Sequence, residues 1–98
     1  MIIEVFVDVP LPNADWGSLM KEWVALMKRR GINWRLLTPE CGVLNRVLHV
    51  VEWPSFADRE KFYSKLPEEA TAILAKRKDF FDVAAFEHYY YNVVDLSG

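Results

Sequence analysis

A chain of 98 residues has room for one modest hydrophobic core, which leaves no space for a second conventional domain. With 52% hydrophobic and 27% charged residues it is no disordered chain, and a formal net charge of −2 removes any global attraction to nucleic acid or an anionic membrane. A single cysteine, Cys41, cannot form an internal disulfide, and no Cys/His spacing suits zinc.

The expected elements follow in chain order. Ile2 to Val9 alternate as a strand, with Ile3, Val5, Val7 and Val9 on the face expected to meet helices and Ile2, Glu4, Phe6 and Asp8 on the other. Its first eight residues carry two carboxylates and no basic stretch, so no secretory leader is expected and the location is taken as cytoplasmic. Pro10 and Pro12 end that strand. A helix is expected from about Asp15 to Arg30, capped by Asn13 or Asp15, with Trp16, Leu19, Met20, Trp23, Leu26 and Met27 on one face. Lys28 to Arg30 suit its negative end, and Gly31 suits the residue after it.

A strand over residues 32–38, a turn at Pro39–Gly42 and a strand over residues 43–53 read as a hairpin. Pro54 stops it, Ser55 with Asp58 opens a second helix, and Pro67 begins a third helical stretch. A last strand is expected over residues 83–94. The order β-α-β-β-α-β with right-handed crossovers gives a ferredoxin-like α+β fold. It is a four-stranded antiparallel sheet, order 4-1-3-2, with the helices on one face. The other sheet face is then bare, and burial against a second copy favours a homodimer.

Chemistry-bearing residues gather on three strands. Asn45, Val47, His49, Val51 and Trp53 share one face by the period of two, a polar and aromatic row with apolar walls. His49 is the candidate catalytic group, since imidazole moves protons near neutral pH. Glu4 and Asp8 flank Phe6 on one face of the first strand; so deep, they need partners, for which Arg35 or Arg46 is available. On the last strand His88, Tyr90 and Asn92 oppose Glu87, Tyr89 and Tyr91, a tyrosine-rich edge suited to an interface or a ligand. The expected ligand-binding residues are therefore Asn45, Trp53, Glu4, Phe6, Asp8 and Tyr90. No metal-ligand spacing is present, and no cofactor is expected. The third strand also lacks the aromatic stacking motif of RNA-recognition domains.

The stretch Leu48-His49-Val50-Val51-Glu52-Trp53-Pro54-Ser55-Phe56-Ala57-Asp58-Arg59-Glu60-Lys61-Phe62 resembles the dimeric α/β-barrel superfamily, nearest to its antibiotic-biosynthesis-monooxygenase-like and NIPSNAP-like groups. The resemblance implies a homodimer with sheets packed face to face and a small-molecule cleft between each sheet and its helices or loops. In some monooxygenase-like members a Trp on the third strand, with an Asn four residues earlier, positions an aromatic substrate. Trp53 matches the Trp, but His49 stands at the Asn position and Asn45 lies four further back. Haem-degrading relatives use an Asn on the first strand and a His on the second helix; this chain has neither.

Two functions follow as expectations. One is cofactor-independent oxygenation or isomerisation of a small aromatic or enol compound, with His49 moving the proton. The other is a non-catalytic ligand-binding or interaction module. An open cleft of several hundred cubic ångströms reached by His49 and Trp53 favours the first, and a filled cavity with His49 locked between neighbours favours the second.

Overall fold

A computed structural model describes residues 1–42 and 44–96. It contains β1 (Ile2–Asp8), α1 (Trp16–Arg29), β2 (Trp34–Leu37), β3 (Val47–Trp53), α2 (Phe56–Ser64), α3 (Glu68–Lys76) and β4 (Glu87–Asn92). The strands form one sheet in the order β2-β3-β1-β4, antiparallel throughout. This is the expected ferredoxin-like α+β topology.

The helix ends follow from local chemistry. Asp15 caps α1: it accepts the Ser18 backbone N–H, and the Ser18 hydroxyl donates back to its carboxylate at 2.6 Å. Gly31, at φ 73°, takes the left-handed step that ends the helix. At α2 the Ser55 hydroxyl accepts from Asp58 N–H and donates to the Asp58 carboxylate, a reciprocal cap.

Three expected strands are clearly shorter than their sequence patterns, the second spanning only Trp34–Leu37. The third begins at Val47, the expected start at residue 43 lying outside the described residues, and residues 83–85 form a short 3-10 turn capped by Asp82, whose carboxylate accepts the Ala84 N–H. Local side-chain bonding to the backbone here outcompetes strand pairing. The segment between α3 and β4 is tied instead to the end of β1. Asp82 N–H donates to the Val9 carbonyl and Leu11 N–H to the Phe80 carbonyl.

The covered face of β1 is the reverse of the one expected, and β3, whose covered face strand alternation leaves open, turns the His49 row toward the helices. Ile2, Glu4 and Asp8 of β1, and Val47, His49, Val51 and Trp53 of β3, are buried beneath the helices. Leu19, Met20, Trp23, Leu26 and Met27 of α1, with Ala70 and Ile73 of α3 and with Phe81, complete that core. Ile3, Val5, Val7, Leu48 and Val50 therefore lie on the bare face, alongside Tyr89 and Tyr91 by register. A purely apolar row is no proof of helix contact; a polar row can occupy the core when each carboxylate finds donors there.

The helical layer stops short of the edge. It covers β2, β3 and β1, while every residue of β4 is exposed. Among the described residues no helix is long and apolar enough to cross a membrane.

Candidate functional site

Because β1 and β3 turn their polar rows toward the helices, two buried carboxylates organise the space between sheet and helices. Each sits in its own cluster, with Phe6 between them on β1.

The first cluster is built on Asp8. His49 Nε2 lies 2.8 Å from Asp8 Oδ2, and the Trp34 indole N–H donates to His49 Nδ1 at 3.1 Å. An indole nitrogen can only donate, so Nδ1 is the acceptor and Nε2 carries the hydrogen given to Asp8. The neutral His49 ring thus has both nitrogens engaged, and it is 5% exposed. Arg77, in a 3-10 turn following α3, donates from Nη2 to Asp8 Oδ1 at 2.5 Å. Burial alone would push the Asp8 carboxyl up, but the His49 hydrogen bond and the Arg77 charge together hold it below the ordinary carboxylate value.

The second cluster is built on Glu4, which is fully buried. Its Oε1 accepts the Trp53 indole N–H at 3.0 Å, and its Oε2 accepts Arg59 Nε–H at 2.9 Å with His88 Nε2 at 2.6 Å. Arg59 lies across the rings of Tyr63 and Tyr90, 4.5 and 5.2 Å from their centroids. Burial, followed by the Glu4 charge, raises the phenol pKa values of both tyrosines. The partners expected for these carboxylates are therefore replaced. Arg35 pairs with Glu52, and Arg46 donates to the Asn45 carbonyl. Arg59 and Arg77 come from the helical layer, which strand alternation cannot reveal.

A cavity of about 100 Å³, open on one side, lies over the Asp8 cluster. Its walls are mainly Phe6, Met20, Trp23, Trp34, Ile73 and Phe86, with Asp8, His49 and Arg77 supplying the polar part. Phe6 stacks on Trp34 at a centroid distance of 5.6 Å, and Trp23 meets Trp34 edge-on at 5.2 Å. Trp23 is buried, and its indole N–H has no acceptor among the described residues. Such an orphan costs about 1–3 kcal/mol, so a partner for it is expected. Arg77 uses one N–H on Asp8 and spreads its guanidinium over Phe86, 4.9 Å from the ring centroid.

Of the residues expected at a site, Phe6, Asp8 and His49 line this cavity. Glu4, Trp53 and Tyr90 belong to the neighbouring cluster: Trp53 packs on Phe62 and Tyr63, and Tyr90 meets Phe56. Asn45 is exposed and precedes β3, so the row drawn from it to Trp53 begins only at Val47. Trp23, Trp34 and Arg77 were not among the expected site residues. Helical periodicity marks Trp23 as core, and only the loose indole N–H distinguishes it from a filler. Among the described residues no group of three or more His, Cys, Asp and Glu side chains is arranged to hold a metal ion.

No protein-family model matches the sequence, and no curated protein matches it. Solved structures match over nearly its whole length. A NIPSNAP family protein with unknown function from Agrobacterium tumefaciens superposes with a TM-score of 0.80 at 18% identity, covering 99% of this chain and 91% of that one. A second NIPSNAP family protein from the same organism gives 0.78 at 17% identity, over 98% and 88%. A protein described as an antibiotic biosynthesis monooxygenase gives 0.70 at 13% identity, over 97% and 100%. At these identities the likeness carries the fold. The neighbours are those that the Leu48–Phe62 stretch resembles.

Proposed function

We propose that this protein binds a small molecule with one aromatic or enol-type ring and at least one oxygen acceptor, in the cavity between sheet and helices, and that it works as a homodimer. The observation that carries the binding reading is the unpartnered Trp23 N–H in a buried residue of an aromatic cavity wall. Arg77 adds a cation beside it, so a phenolic, enolic or carboxylate oxygen suits the polar end. A sealed cavity of about 150 Å³ holds benzene, whereas drug-sized ligands use roughly 300–1,000 Å³. At about 100 Å³, the cavity takes one ring partly projecting through the open side.

Cofactor-independent oxygenation or isomerisation would need a group that takes the ligand's proton. His49, with Trp34 on one nitrogen and Asp8 on the other, is not available for it without breaking a buried hydrogen bond. Its geometry supports a positioning role in the cavity wall, and ligand binding is the better-supported function.

The binding test is calorimetric titration with phenol, benzoate and 4-nitrophenol. Wild-type protein is expected to bind at least one of them saturably. Trp23→Phe keeps the ring and removes the N–H, and is expected to weaken binding about tenfold, the equivalent of one well-made hydrogen bond. Absence of saturable binding, or an affinity unchanged in Trp23→Phe, overturns the reading.

The homodimer rests on the bare face, where Ile3, Val5, Val7, Leu48 and Val50 form an apolar surface flanked by Tyr89 and Tyr91. Light scattering at micromolar concentration is expected to give twice the chain mass, and Val5→Lys, at the centre of the face, is expected to give the monomer. A monomeric wild-type protein sinks the proposal.

A further inference from the structure

We propose that His88, held by the buried Glu4, is the proton-accepting group for an acidic ligand at the edge of the cavity. This deepens the ligand-binding reading and rests on it. An ionised carboxylate only accepts, so the 2.6 Å contact fixes the hydrogen of neutral His88 on Nε2. Nδ1 keeps its lone pair, and no described residue donates to it. The two histidines of the chain thus differ in kind: His49 is closed at both nitrogens, His88 at one.

The ring is held as a base needs to be. His88 stacks on Phe6 at 4.5 Å between centroids and 9° between planes, and leans on Tyr90 at 4.7 Å. Glu4 is in turn fixed by Trp53 and Arg59, so a carboxylate orients an imidazole whose other nitrogen faces no protein partner. The His88 side chain is 29% exposed, in contrast to its fully buried partner. It also touches the cavity wall, because Phe6 and Phe86 both line the cavity and both contact its ring. Glu4 is then a positioning residue and His88 the base. In the step itself the ligand O–H bond breaks and the Nδ1–H bond forms, giving an imidazolium–phenolate or imidazolium–enolate pair with no change of oxidation state.

Two measurements decide it. Carbethoxylation needs a free ring lone pair and no ligand; His88 is expected to react at least tenfold faster than His49 by peptide mapping, and equal or slower reaction overturns the proposal. The second uses 4-nitrophenol at a pH below the ionisation midpoint of the free probe, with absorbance reporting the phenolate and calorimetry reporting binding. Wild-type protein is expected to raise the ionised fraction of bound probe at least threefold over free probe. His88→Gln is expected to return the spectrum of the bound probe to that of the free probe. Glu4→Gln is expected to lose most of the rise. Binding retained in His88→Gln with the wild-type spectrum overturns the base role alone. Absence of saturable probe binding to wild type overturns the ligand reading, and the base role with it.

Discussion

Replacing Arg59 with methionine is expected to cost about 3–5 kcal/mol of folding stability, the range for breaking a buried ion pair by removing one partner. Glu4 is 0% exposed and the Arg59 side chain 16%, so solvent does little to screen the charge left behind. Trp53 and His88 still reach the carboxylate, but neither replaces the full cation that Arg59 places on Oε2 at 2.9 Å. The same change removes the guanidinium from the faces of Tyr63 and Tyr90, a smaller loss of about 0.5–2 kcal/mol. Urea denaturation of Arg59→Met checks the total. The double variant Arg59→Met/Glu4→Gln separates the parts, because a neutral amide removes the stranded charge. It is expected to recover more than half of the loss. A single-variant cost below about 1 kcal/mol, as for an exposed pair, would show that Glu4 is not held as a buried anion.

That ion pair also explains what strand alternation in the sequence makes legible. The period of two places Glu4, Phe6 and Asp8 on one face of β1 and His88 with Tyr90 on one face of β4, as the register has them. It does not say which face the helices cover. Ile3, Val5 and Val7 look like core because they are uniformly apolar, yet Glu4 and Asp8 take the covered face. What decides between the faces is long-range pairing: Arg59 lies 55 residues from Glu4 in the chain, and Arg77 lies 69 from Asp8. Only the folded chain brings those donors over the strands.

The site was legible to a similar degree. Phe6, Asp8 and His49 are strand residues, so their shared face follows from β1 and β3 pairing. Trp23 and Arg77 come from helical segments whose sequence reads as core face and solvated basic end. Lys76-Arg77-Lys78 is a charge run in which only the middle residue turns inward to Asp8. Which of three neighbouring cations does so depends on the 3-10 turn that follows α3, and that turn is set by tertiary packing of Phe80 and Phe81. Asn45 falls off the strand row for the opposite reason. Its place in the row assumed that β3 began four residues earlier than it does.

Asp8 gives the molecule an acid-sensitive bond with a definite sign. Its carboxyl is held below the ordinary value of 3.8 in the folded state, because His49 and Arg77 favour the ionised form more than burial opposes it. The unfolded chain therefore binds the proton more readily, and folding stability rises with pH through the interval between the two values. The contribution is fully present above about the unfolded value of 3.8 and is lost as pH falls through the lower folded value. Asp8→Asn removes this dependence. It leaves Arg77, whose side chain is 25% exposed, without its carboxylate, and offers one amide oxygen to two donors, so at most one of the two hydrogen bonds survives. Near neutral pH that is expected to cost about 2–4 kcal/mol, reduced from the fully buried case because water reaches the guanidinium. Denaturation of both proteins at successive pH values checks the sign. The gap between wild type and Asp8→Asn is expected to stay level from pH 7 to about 5 and to narrow only below about 3.8. A gap that narrows instead between pH 7 and 5 would mean that Asp8 is not the group whose ionisation holds this wall of the cavity together.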